Sequence, residues 1–194
     1  MNLVELSKYL FWSSIIVWLF PPIRQFKGSY FIFFLILAIT DPLSYLYTFI
    51  LFIGANNLWI YLISFYLIIV SISDKDNIKK YKYFYIIFFI ILILLLFLKL
   101  EYHYYLLLIV VEHLVIFFMF LKLFITGYVN NNKFNIFLII LLAYELLFIL
   151  KYFILLAGFA DADAFFMVTS FAQIAIGLFF SIFREGDPKL MVKL

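Results

Sequence analysis

Seven long runs of apolar residues, each closed by a polar or helix-breaking cluster, leave this chain few ways to fold. The runs cover residues 3–20, 29–53, 57–73, 81–98, 104–125, 134–156 and 165–183. Pro21-Pro22, Gly54-Ala55-Asn56-Asn57, Asp74-Lys75-Asp76-Asn77, Lys99-Leu100-Glu101, Asn130-Asn131-Asn132-Lys133 and Asp161-Ala162-Asp163 separate them. A helix rises ~1.5 Å per residue, so roughly 20 apolar residues cross the ~30 Å of hydrocarbon in a bilayer. Closed β-barrels are the other spanning solution, and they are built from alternating strands of about ten residues, unlike these unbroken runs. Composition agrees: 69% of the chain is apolar and 13% charged, against roughly 45–50% and 25% for a soluble domain. A water-soluble globule of this size could not hide that much hydrocarbon. The expectation is an all-α membrane protein, a bundle of about seven transmembrane helices forming one domain over residues 1–183, with the lipid bilayer as its solvent. A short tail, 184–194, follows.

Orientation is read from lysine and arginine, which concentrate in cytoplasmic loops. Arg24, Lys27, Lys75, Lys79, Lys80, Lys82, Lys122, Lys133, Arg184, Lys189 and Lys193 fall in or beside the first, third and fifth loops and the tail, while the other side holds Lys8 and Lys99. The N-terminus is therefore expected outside and the C-terminus in the cytoplasm, with Glu101, Asp161 and Asp163 facing outward. Insertion accounts for the basic residues, so no nucleic-acid partner is expected. The first eight residues lack the basic lead and cleavage site of a signal peptide, and the first run reads as a retained helix. Trp12, Trp18 and Trp59 lie near run ends, where an amphipathic ring suits the membrane interface. Cysteine is absent, which excludes thiolate chemistry and zinc–sulfur sites. No cofactor motif is present. Phenylalanine (28) and tyrosine (15) are abundant; like Ile, Asn and Lys they are encoded by AT-rich codons, and base composition explains them more simply than an aromatic binding surface.

Ionisable groups inside the runs are the candidate site residues, because a charge at mid-bilayer costs ~2.5–3.5 kcal/mol on insertion scales. Asp41 and Glu145 fall near the middle of the second and sixth runs, Glu112 and His113 about eight residues below the outer end of the fifth, and Lys151 about five below the outer end of the sixth. With Gln173 of the last run they suit an outward-facing polar cavity as a ligand or proton site. Depth pairs Glu112 with Lys151 across two helices expected to be antiparallel neighbours. Proline in Asp41-Pro42 deprives the Ala38 carbonyl of its donor, so a kink is expected there, with Thr40, Ser44 or water re-satisfying the backbone. Glu112 and His113 are adjacent and diverge by ~100° around one helix, which is not the i, i+4 spacing of a metal pair. No metal signature and no catalytic residue is assigned. Seven helices with an outer N-terminus resemble the rhodopsins in layout alone, since the attachment lysine there belongs to the last helix and this last run has none. In the tail, Gly186-Asp187-Pro188 reads as a turn before a short basic segment that sits on the membrane or docks on a partner.

The segment Asn56-Asn57-Leu58-Trp59-Ile60-Tyr61, following a run that holds an acidic residue, resembles a recurring segment of small seven-helix inner-membrane proteins of Bacteroidetes-type bacteria. The resemblance covers the first two or three runs and departs in the third, where Ser64-Phe65-Tyr66 stands in place of a carboxylate. It implies the inner (plasma) membrane of a bacterium, multi-pass, and no particular activity. Three readings of function follow. The first is a non-enzymatic sensor or an accessory subunit of a membrane complex, with a partner membrane protein. The second is a proton or small-solute carrier using the intramembrane carboxylates, although the inner halves of the fifth and sixth runs hold few polar groups to continue a path. The third is an intramembrane lipid-acting enzyme with His113 and a carboxylate as acid and base, which lacks any Ser/His/Asp or metalloprotease signature.

Overall fold

The computed structural model describes residues 3–51, 57–97, 100–158 and 162–193. Helices carry most of them: α1 (Leu3–Trp18), α2 (Phe20–Arg24), α3 (Phe31–Leu51), α4 (Leu58–Ile72), α5 (Lys75–Lys80), α6 (Lys82–Phe97), α7 (Tyr102–Asn131), α8 (Ile136–Ala157) and α9 (Ala162–Ile182). Two short strands, β1 (Phe134–Asn135) and β2 (Met191–Val192), pair antiparallel. The breaks expected at Gly54, Ala55 and Asn56, at Lys99 and at Asp161 lie outside the described residues.

Among the described residues, three helices are long and apolar enough to cross a membrane, over Phe31–Ile50, Tyr102–Asn131 and Ile136–Ala157. The third, fourth and seventh runs give shorter apolar helices at Leu58–Ile72, Lys82–Leu95 and Met167–Ile182. Several expected boundaries move. Pro21-Pro22 does not end the first helix: the chain breaks at Leu19, and the prolines sit in the first turn of α2, where no intrahelical amide donor is needed. The polar stretch 74–80, read as a loop, is largely the helix α5, with Lys79 and Lys80 in its last turn, where cations suit the helix dipole. α7 runs on past residue 125 to Asn131 and ends on Asn132 in the left-handed conformation, which asparagine tolerates better than most residues. α3 stays one helix through Pro42. There the Thr40 hydroxyl donates to the Ile36 carbonyl at 2.7 Å, not to the Ala38 carbonyl.

Contacts run from helix to helix in a closed circuit: α1 packs on α3, α3 on α4, α4 on α7, α7 on α8, α8 on α9 and α9 back on α1. α6 stands outside this ring against α4. It turns most of its apolar side chains outward, Tyr83 and Phe97 being about four-fifths exposed. The last link depends on Gly177, where a Cβ would come within 2.8 Å of Val17 Cγ1 and 3.2 Å of Trp18 Nε1, so the missing side chain lets α1 and α9 approach. Trp18 is therefore a core residue, 6% exposed and 4.8 Å from the Tyr144 ring, rather than a member of an interfacial belt.

One end of the ring is tied by its connections. Gln25, fully buried, donates from Nε2 to the carbonyls of Phe180 (3.2 Å) and Phe183 (2.8 Å), and its Oε1 accepts from the Glu185 amide at 3.0 Å. Arg24 Nε donates to the Ile182 carbonyl, Arg184 Nη2 to the Phe26 carbonyl, and the Ser29 amide to Glu185 Oε2. The bonds to Phe180, Ile182 and Phe183 occupy carbonyls that the end of α9 leaves without intrahelical donors. The tail then turns, buries Leu190 and pairs Met191 and Val192 with Asn135 and Phe134. It docks on its own chain.

Candidate functional site

α7 and α8 meet along their length and bring His113 against Glu145. His113 Nδ1 and Glu145 Oε2 share a hydrogen bond of 2.7 Å, with both side chains essentially inaccessible to solvent. Three rings enclose the imidazole: Phe65 of α4 at 4.1 Å between centroids, Phe148 of α8 at 4.9 Å and Tyr152 of α8 at 5.7 Å. Tyr144, Phe148 and Tyr152 recur every four residues, so they form one stripe on the inward side of α8. A hydrogen bond inside an aromatic enclosure is strengthened because little water competes for either group.

The second cluster lies between α3 and α4. The Tyr61 hydroxyl donates to Asp41 Oδ1 at 2.9 Å. Asn57 Nδ2 donates to Ser44 Oγ at 2.6 Å, joining the next turn of α3 to the start of α4. Lys151 of α8 acts electrostatically on Asp41, and its Nζ stands 5.7 Å from the Phe148 ring centre. Ser14, Thr40, Asp41, Tyr61 and Gln173 share a cavity of about 20 Å³ with Trp18, Phe65 and Tyr144 among its apolar walls. Four helices, α1, α3, α4 and α9, thus supply its polar lining.

Of the sequence candidates, the structure joins His113 to Glu145 and sets Asp41, Lys151 and Gln173 around a neighbouring cluster. The expected Glu112–Lys151 pair does not form: both Glu112 carboxylate oxygens are buried without a hydrogen-bond partner. Two further buried atoms share that condition, His113 Nε2 and Gln173 Nε2. Among the described residues, no group of three or more His, Cys, Asp or Glu side chains is placed to hold a metal ion. Tyr61, Ser14 and the aromatic enclosure were not singled out from the sequence. The stripe at 144, 148 and 152, flanked by Glu145 and Lys151, was the signal that could have found the enclosure.

Towards the tied end of the ring the polar groups stop. Phe33, Phe34, Phe120, Phe137 and Phe180, from α3, α7, α8 and α9, are buried to within 1%. Their rings meet at 4.9–6.2 Å, mostly tilted or edge to face, the arrangements the ring quadrupole prefers. They close the core between the polar cluster and the Gln25 clasp. No family model, curated protein or solved structure matches this chain.

Proposed function

We propose that this chain is a multi-pass bacterial inner-membrane protein of about seven spans that works as a non-enzymatic sensor or accessory subunit, its polar interior addressed from the outer side. The observation that carries the reading is the asymmetry of the core. Ionisable groups from α3, α7 and α8 are mated in one half, and the phenylalanine layer fills the other. A carrier would have to part that layer in every cycle. The mated pairs also favour binding over chemistry, since His113 answers Glu145 and Tyr61 answers Asp41 instead of all four converging on one reacting atom. The orientation rests on the basic residues: Arg24, Lys27, Lys133, Arg184, Lys189 and Lys193 lie on the segments that the clasp and the strand pair draw to one end, the cytoplasmic end by the positive-inside rule. α6, standing outside the ring, offers its apolar faces to a partner membrane protein.

Single cysteines test this cleanly because the chain has none of its own. Lys151→Cys is expected to react with a small membrane-impermeant thiol reagent added outside and not with the same reagent inside, and Phe180→Cys with neither. Reaction of Phe180→Cys would mean the aromatic layer opens to water and would replace the sensor reading with the carrier. Reaction of Lys151→Cys from the cytoplasmic side alone would invert the orientation.

A further inference from the structure

We propose that the cavity between α1, α3, α4 and α9 binds one alkali cation, held by the Asp41 carboxylate and the oxygens of Ser14, Thr40, Tyr61 and Gln173. The proposal deepens the binding reading above and rests on it. About 20 Å³ accommodates one water-sized body, roughly 10–15 Å³ being the minimum on this measure. Ser14, Thr40, Asp41, Tyr61 and Gln173 bring oxygen-bearing side chains to a lining otherwise apolar, and the hydrogens of two of its hydroxyls are already committed. Thr40 gives its hydrogen to the Ile36 carbonyl and Tyr61 gives its own to Asp41. What these groups have left to offer is lone pairs. A water supplies two hydrogens and would leave some of those acceptors unmet, whereas a cation answers all of them at once.

Gln173 is the second, independent sign. Its side chain is 7% exposed and lines the cavity, yet Nε2 has no acceptor. The two ends of an amide exchange on a half-turn, so this side chain can turn either a donor or an acceptor towards the cavity. Lys151 is not among the lining residues of the cavity; it acts on Asp41 from outside it, as a competitor for the same carboxylate. Hard oxygen donors with a single carboxylate suit a monovalent ion better than a transition metal, which seeks imidazole or thiolate.

The test is thermal unfolding of the purified full chain in detergent, in NaCl, KCl or choline chloride at matched ionic strength. Sodium or potassium is expected to raise the melting temperature over choline by roughly 3–6 °C for each tenfold rise in free cation above its dissociation constant. Asp41→Asn should abolish the rise, Gln173→Leu should move it to higher concentration, and Lys151→Met should move it to lower concentration by removing the competing charge. If Asp41→Asn does not fold, Ser14→Ala combined with Gln173→Leu must weaken the cation response in its place. Equal melting in all three salts overturns the proposal, as does a response that survives in Asp41→Asn. A shift that follows pH and ignores the cation overturns it too, assigning the balancing charge to a proton. Cysteine labelling reads the sensor hypothesis independently, so a one-sided labelling pattern with no cation response would sink the ion and leave the one-sided site standing.

Discussion

At the clasped end of the ring, five phenylalanines from four helices pack ring against ring in the core, and the bonds of Gln25, Arg24 and Arg184 tie the connections beyond them. About two turns further along α3, α7 and α8, Asp41 is bonded to Tyr61 of α4 and His113 to Glu145, by directional bonds of 2.7–2.9 Å. The difference matters most in hydrocarbon, where lipid tails are as apolar as leucine and the hydrophobic effect no longer drives helices together. The phenylalanine layer can then contribute only packing, which depends on volume and shape. The polar half contributes pairing, which depends on the identity of each atom, so it fixes which helix faces which.

Substitutions can break or sharpen that contrast. Glu145→Ala strands His113 in an aromatic enclosure and is expected to cost about 3–5 kcal/mol, the usual toll for removing one partner of a buried pair; a melting temperature close to wild type would deny the polar half its specifying role. Phe180→Ala should cost less, around 2–3 kcal/mol, because in lipid the cavity left behind remains while much of the transfer contribution falls away. Phe180→Leu should recover part of that loss, whereas Glu145→Leu should not recover what Glu145→Ala loses; equal rescue at both sites would show that volume alone governs both ends. Tyr61→Phe removes one hydrogen bond without changing volume. Its expected effect is the smallest, on the order of 0.6 kcal/mol, detectable by denaturation in mixed micelles and larger when combined with Asn57→Ala if the α3–α4 contacts act as one network.

The helices were legible in the sequence because apolar run length is a one-dimensional property. The antiparallel neighbours α7 and α8 were legible too, since a short connection allows little else. What depth along a helix could not supply was direction around it. Glu112 and Lys151 matched in depth, but Glu112 and its neighbour His113 point ~100° apart, and it is His113 that α8 meets. Glu145 and Lys151, six residues apart, are likewise turned ~120° from each other, so they serve different clusters. Aromatic residues attributed to codon usage proved to include the walls of the site: the four-residue spacing of Tyr144, Phe148 and Tyr152 carried information that their abundance concealed. Gln25 gave no signal at all, because a glutamine in a short polar connection looks solvated until the end of α9 is placed over it.

The circular order of the helices has a consequence for biogenesis. α9 is translated after the other five members of the ring, and it is the segment that fits between α8 and α1, with Gly177 against Trp18. Until it arrives, Asp41 and its neighbours border an open seam facing lipid or the insertion machinery, and Gln173 has yet to reach them. Assembly of the polar interior is therefore a late event. Lesions that slow the entry of α9, a bulkier residue at 177 above all, should expose half-built molecules to quality-control proteases even where the finished protein would tolerate them.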